Sequence, residues 1–283
     1  MIEQLTILAP GLLGGSVAKA AYSTHAAKRI VIWARRPETR KALAKQNFVS
    51  SVADTPEAAV QGASLVVIAA PVTQIAPIAT QIAAYLPKGC VVTDVGSVKK
   101  ALVKTCTQAL LPHAHFVGSH PMAGSEKTGW ENSSADLFQK RTCFITPVSK
   151  TNKAAVKTVS QFWRKLGAKV VSLSPEKHDK TVAHISHLPQ VIASNLCSYL
   201  LSTDKNALRY AGNGLKDTTR IAGSDSHLWR EILELNQSEV LKAIQQFQKE
   251  LCQFELALKK KNYSQVTRHL AKGKTCRERF ILS

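Results

Sequence analysis

Three short polar motifs carry the residues most able to do chemistry. Thr93-Asp94-Val95-Gly96-Ser97-Val98-Lys99 and Gly118-Ser119-His120-Pro121-Met122-Ala123-Gly124-Ser125-Glu126 each follow a strand-like apolar run. They therefore fall at carboxyl ends of sheet strands, where open α/β sheets bind ligands. The third, His184-Ile185-Ser186-His187-Leu188-Pro189-Gln190, lies on a helical stretch and is followed by Gly214-Leu215-Lys216-Asp217-Thr218-Thr219-Arg220-Ile221-Ala222. A histidine suits proton transfer because its pKa is near neutrality. An arginine suits a carboxylate because its planar fork donates two parallel hydrogen bonds. Taken singly, His120 could merely cap a turn, His187 could be a satisfied core residue, and Arg220 could pair with Asp217 on a helix surface. His184 and His187 are spaced for one helix face, but no carboxylate or thiol completes a ligand set, so no metal is expected.

A nucleotide site is written at the start of the chain. Leu8-Ala9-Pro10-Gly11-Leu12-Leu13-Gly14-Gly15-Ser16 matches G-x-G-x-x-G with Ala9 in place of the first glycine. The pattern sits between a first strand and a first helix, the context in which backbone N–H groups at a helix N-terminus cradle a pyrophosphate. Gly11 would admit the phosphate, and Gly14 would let helix and strand approach. Ala9, Leu12 and Leu13 complete the turn, and Pro71 closes a later strand at the same edge. The second strand ends Trp33-Ala34-Arg35-Arg36-Pro37. The carboxylate that usually binds the NAD ribose is absent from Ala34-Arg35-Arg36, and two guanidinium groups suited to a 2′-phosphate stand there instead. NADP is expected over NAD, with Arg35 and Arg36 as plain surface charges the alternative.

The elements that must hold these residues divide in two. Apolar runs at 5–8, 29–33, 64–69, 90–95, 116–119, 142–146 and 168–171 alternate with helical patterns as far as about residue 173. Continuous apolar strands separated by helices predict a parallel sheet covered on both faces, an α/β Rossmann-like domain over 1–173. Ser174-Pro175 then reads as a helix N-cap followed by proline at the first helical position. Helices are expected over 175–203, 205–214, 225–260 and 262–281, an all-α domain spanning 174–283.

Composition narrows the function classes. The chain has 283 residues, 45% of them hydrophobic, which fits a globular protein with a sizeable core. No run approaches the roughly 18 apolar residues of a membrane span, and the start lacks a signal-peptide pattern; a cytoplasmic protein is expected. Six cysteines show no metal-like spacing. The net charge of +19 is spread along the chain, and aromatics are only 6%. That argues against a stacking surface for nucleic acid and favours steering of anionic substrates and phosphorylated cofactors.

In the order and spacing of D-V-G-S-V-K, S-H-P-M-A-G, S-H-L-P and K-D-x-T-R-I-A, behind a dinucleotide motif, the chain resembles the prephenate/arogenate dehydrogenase family from residue 5 to about 280. The resemblance implies a Rossmann-like domain followed by a helical domain that builds a homodimer. It implies oxidative decarboxylation of a cyclohexadienyl acid on the route to tyrosine. His120 would be the catalytic histidine on the ring hydroxyl and Ser97 a serine holding the same group. His187 and Arg220 would contact substrate, with Arg220 on a carboxylate. Asp217 and Glu126 would sit near the pocket mouth, and Trp229 would wall it. Prephenate and arogenate differ at a side chain that the sequence does not read, and prephenate is the reading taken. A 3-hydroxyacid dehydrogenase of the same plan would rely on a lysine after the boundary, where Lys177 and Lys180 stand, but would leave S-H-P-M-A-G unexplained. A non-catalytic nucleotide-binding module is the third reading, against which His120, Ser97 and Arg220 argue.

Overall fold

The computed structural model describes residues 2–124, 127–203 and 206–281. Glu126, expected at the pocket mouth, lies outside them.

The first half alternates β1 (Ile2–Leu8), α1 (Leu12–Ser23), β2 (Ala27–Trp33), α2 (Pro37–Leu43), β3 (Ser51–Val52), α3 (Pro56–Val60), β4 (Leu65–Ile68), α4 (Val72–Ile82), β5 (Val91–Asp94) and α5 (Lys100–Leu110). It continues through β6 (His115–Pro121), β7 (Thr142–Thr146), α6 (Lys153–Lys165) and β8 (Lys169–Ser172). The eight strands form one sheet in the order β3-β2-β1-β4-β5-β6-β7-β8. The reversal of strand order falls between β1 and β4, above which a doubly wound sheet binds its ligand. Buried Leu5, Ile7, Val17, Leu65, Val67 and Trp163 fill one face, and Val66, Ile68, Ile75, Val92 and Phe116 fill the other.

The sheet is parallel, as expected, except at one junction. β7 runs antiparallel to β6, with His120 opposite Phe144. Among the described residues the connection from 122 to 141 holds a 3₁₀ turn at Trp130–Asn132 and no crossover helix, and without a crossover two neighbouring strands run antiparallel. The short strand β3 has only two residues and gave no apolar run to read.

After β8 the chain is helical: α7 (Pro175–Val182), a π-helical turn (Ala183–His187), α8 (Leu188–Ser202), α9 (Asn213–Thr219), α10 (Ser226–Leu235), α11 (Gln237–Lys259) and α12 (Tyr263–Ile281). Ser174 caps α7 by accepting from Lys177 N–H, with Pro175 in the first turn. Two expected helices are interrupted. The span 205–214 holds a 3₁₀ turn at Ala207–Tyr210 before α9 begins. The span 225–260 breaks at Asn236, whose φ of −113° and ψ of 23° leave the helical region. Both the π turn and the break lie at site residues. Pro189 has no N–H for the Ile185 carbonyl one turn back, which widens the turn carrying His187.

Candidate active site

The nucleotide edge is built by backbone. Ala9 takes the left-handed conformation, φ 58°, that a glycine would take freely, and its N–H donates to the Trp33 carbonyl at 2.9 Å. Gly11 begins α1 with no side chain capping its N–H groups, and a Cβ placed there would meet nothing within 4 Å. Ligand oxygens therefore have open access to the helix N-terminus. A Cβ on Gly14 would come within 2.7 Å of Ala69 Cβ, so glycine there is what lets α1 lie against β4. These features fit a bound pyrophosphate. Leu12 and Leu13 are half-buried in the first turn, Ala34 is buried at the end of β2, and Arg35 and Arg36 are exposed beyond it.

The edge that carries His120 is built by buried side chains. β5 and β6 pair only as far as Thr93 and Val117, and β6 then continues alone against β7, carrying His120 beyond the end of β5. Asp94 closes β5 and ties this gap. Its carboxylate accepts from Gly96 N–H at 2.8 Å and Ser119 N–H at 3.0 Å, and forms an ion pair with the Lys99 ammonium. Both side chains of that pair are 0% exposed. Ser119 Oγ donates to the Asp94 carbonyl and accepts from Trp163 Nε1 at 3.0 Å. Removing one partner of such a pair strands a buried charge. The pair therefore fixes the turn that holds Ser97, half-buried between Asp94 and Lys99.

His120, at the end of β6, is buried. Its Nδ1 lies 2.9 Å from His178 Nε2, whose ring is edge-on to it. Burial, then the neighbouring His178, Lys99 and His187, holds His120 well below the usual imidazole range. It is neutral at neutral pH and able to accept a proton. With Nδ1 engaged, Nε2 is the nitrogen left for a ligand.

His187 is the second buried imidazole. Asn236 Nδ2 donates to the Asp179 carbonyl at 2.9 Å and lies 3.2 Å from His187 Nδ1. The amide nitrogen only donates, so Nδ1 accepts and Nε2 carries the proton. Burial lowers its pKa to about 4. His187 thus presents a neutral Nε2–H. Trp229 stands edge-on to its ring, 5.9 Å away, and packs with Val72, Val98 and Ile232. That cluster joins α4, the Ser97 turn and α10, and Thr73 Oγ1 donates to Glu231 beside it at 2.8 Å. It brings Trp229 and His187 to the Ser97 turn and to the start of α4, where Pro71 is the exposed residue before the helix.

Asp217 and Arg220 are exposed near the end of α9, and the turn Arg220–Gly223 packs on α8, the helix that follows His187. His184 is exposed and stands apart from the buried cluster. Among the described residues, no group of three or more His, Cys, Asp or Glu side chains is placed to hold a metal ion.

Three members of the cluster were missed by sequence reasoning: Asn236, read as part of one long helix, and two on α7. His178 and Asp179 lay in a stretch read only as a helix start. Yet Pro175, His178, Asp179 and Val182, at i, i+3, i+4 and i+7, are the buried face of α7. A buried face with an imidazole and a carboxylate in it was the available signal.

Comparison with known proteins identifies the family. Residues 17–172 match the family model described as prephenate dehydrogenase, nucleotide-binding domain, and residues 174–272 match prephenate dehydrogenase, dimerization domain. The prephenate dehydrogenase of Bacillus subtilis is 31% identical over 282 residues, covering 98% of this chain and 76% of that protein. The cyclohexadienyl dehydrogenase of Zymomonas mobilis is 29% identical over 281 residues, covering 98% and 96%. The crystal structure of prephenate dehydrogenase from A. aeolicus in complex with hydroxyphenyl propionate and NAD+ superposes with a TM-score of 0.92 at 30% identity over 99% of each chain. With matches across both halves, the chain belongs to the prephenate dehydrogenase family.

Proposed function

We propose that this chain oxidatively decarboxylates prephenate to 4-hydroxyphenylpyruvate, with NADP⁺ as hydride acceptor, in tyrosine biosynthesis. The observation that carries the reading is His120: a neutral, buried imidazole with Nε2 left for a ligand, at the seam between the nucleotide edge and the helical half. A bound nicotinamide would supply the hydride acceptor for the carbon bearing the ring hydroxyl. His120 accepts the hydroxyl proton, which promotes that loss, and Ser97 holds the same hydroxyl. His187 donates from Nε2 to an acceptor on the substrate. Arg220 binds a substrate carboxylate, Asp217 lies near the mouth, and Trp229 walls the pocket. The ring carboxylate leaves as CO₂ as the ring becomes aromatic.

The preference for NADP rests on Arg35 and Arg36, exposed at the end of β2 with no carboxylate at Ala34. The relative from A. aeolicus was crystallised with NAD+. Lys177 and Lys180, the lysines a 3-hydroxyacid dehydrogenase would use, are exposed on α7. We also infer a homodimer. In α11, Leu241, Leu251, Leu256 and Leu258 are exposed, as are Tyr263, Leu270 and Phe280 in α12, and a second copy would cover them. All six cysteines are free thiols, which suits a reducing cytoplasm.

Prephenate and arogenate, each with NAD⁺ and NADP⁺, are assayed by the absorbance of the reduced nicotinamide. The expected result is turnover of prephenate with NADP⁺ preferred. Changing Arg35 and Arg36 to Ala should weaken NADP⁺ far more than NAD⁺. Turnover of arogenate alone, or a clear NAD⁺ preference, overturns the corresponding part of the reading.

A further inference from the structure

We propose that His178 and Asp179 are positioning residues for proton transfer: they fix His120 in the tautomer whose Nε2 is a free acceptor, and His178 takes over the charge as His120 loads. The inference rests on the reading of His120 as the group that accepts the substrate hydroxyl proton.

The polarity follows from Asp179 outward. Asp179 Oδ1 accepts from Lys99 N–H at 2.8 Å, and Oδ2 from Lys100 N–H at 2.9 Å. Backbone N–H groups can only donate, so both carboxylate oxygens are acceptors. His178 Nδ1, 2.8 Å from Oδ1, must therefore be the protonated nitrogen of its ring. A neutral imidazole has one N–H, so His178 Nε2 bears a lone pair. His120 Nδ1, 2.9 Å away, must donate to it. The lone pair of His120 is left on Nε2. With Asp179 a carboxylate and His178 neutral, each step follows from the one before, and the first is anchored on two main-chain groups at the start of α5.

The chain holds as long as His178 is neutral. Were it an imidazolium, its Nε2–H would donate to His120 and turn that ring around, leaving no acceptor for substrate. Burial opposes charge on His178, with Asp179 pulling the other way. The charged and titratable groups around the two rings are Lys99, Asp94, Asp179, His187 and Cys143. Phe144 closes the other side of His178, its centroid 5.4 Å away.

Proton transfer then balances along the same line. The substrate O–H bond breaks, its electron pair stays on oxygen, and the proton forms a bond to His120 Nε2. The proton on His120 Nδ1 passes to His178 Nε2. His120 ends neutral, and His178 ends as an imidazolium beside the Asp179 carboxylate. One proton enters and none is lost. The positive charge finishes on the ring that touches a carboxylate, one residue removed from the substrate.

The full-length protein, labelled with ¹⁵N-histidine and free of substrate, tests this by long-range ¹H–¹⁵N correlation. His120 is assigned by the signal that disappears in His120→Asn. At neutral pH, His120 should show Nδ1–H with an unprotonated Nε2, and so should His178. His178→Phe should release His120 to the Nε2–H form, lower kcat at least tenfold, change KM for prephenate less than threefold, and shift the acidic limb of the kcat profile. His178→Gln, whose amide oxygen can accept from His120 Nδ1, should restore the Nδ1–H form and part of kcat. Finding His120 as Nε2–H in the unaltered protein, or finding its tautomer and kcat unmoved in His178→Phe, overturns the proposal. The tautomer is read without substrate. If it is as expected but prephenate is not turned over, the proton geometry stands and the substrate reading fails.

Discussion

The sheet half closes its core with its own residues, whereas the helical half leaves much of its apolar surface open. Leu5, Ile7, Val17, Leu65, Val67 and Trp163 are wholly buried between strands and helices. In α11 only Val240, Ala243 and Ala257 are buried among 23 residues, and α12 buries none of its described residues. The same division governs the chemistry. In the sheet half the nucleotide edge is backbone, held by Ala9, Gly11 and Gly14, and the proposed base, His120, hangs from a strand end. The helical half contributes the polar side chains that surround it: His178, Asp179, His187 and Asn236. One half is a closed scaffold; the other completes a site and, by our inference, a dimer.

The largest expected effect tests the scaffold's contribution. His120→Asn removes the base while leaving the nucleotide edge intact. We expect kcat to fall by roughly 10²–10⁴ with cofactor affinity unchanged in a titration of cofactor fluorescence. If kcat survives, the base lies elsewhere. The second test addresses the open half. Leu251→Lys places a charge on the exposed face of α11. Sedimentation should then show monomers where the unaltered chain sediments as a dimer; a dimer that persists puts the interface elsewhere.

The third test uses acid. His187 has its folded pKa lowered to about 4 by burial, against the ordinary 6.5. Above pH 6.5 neither folded nor unfolded chain carries a proton there. Between 6.5 and about 4 only the unfolded chain takes one up, so stability falls as pH falls through that window. The loss from this residue should reach roughly 3 kcal/mol at its lower end. His120 and His178 are lowered too and act in the same direction. Denaturant melts at a series of pH values read the slope, and His187→Phe should flatten it. A slope unchanged by that substitution assigns the acid sensitivity to other groups. The smallest effect sharpens the view of the nucleotide edge. Ala9→Gly relieves a left-handed alanine, and a gain of up to about 1 kcal/mol in thermal stability is expected. A loss would mean that the turn depends on the methyl group.

The halves also differed in how far they could be read from sequence. Apolar runs flanked by turn residues gave the strands, because a strand buried on both faces needs little but Val, Ile and Leu. Ser174-Pro175 gave the first helix of the second half, because capping is local chemistry. His120 and Ser97 stood out because they follow strand ends. His178 and Asp179 did not, because what makes them functional is a contact across the chain, to residues 99, 100 and 120. Asn236 was read through as part of one long helix for the same reason. Its value lies in reaching Asp179 and His187, which no local pattern reports. The antiparallel β7 escaped notice because strand direction depends on the connection and not on the strand.

Asp179 sits astride the boundary near residue 173, with its side chain on the first turn of α5 and its carbonyl under Asn236. The two halves of this enzyme are consequently not interchangeable modules. A hybrid joining this sheet to the helices of another dehydrogenase could fold and hold nucleotide, yet be inert. It would work only if the incoming helix brought an imidazole and a carboxylate in register with the recipient strand.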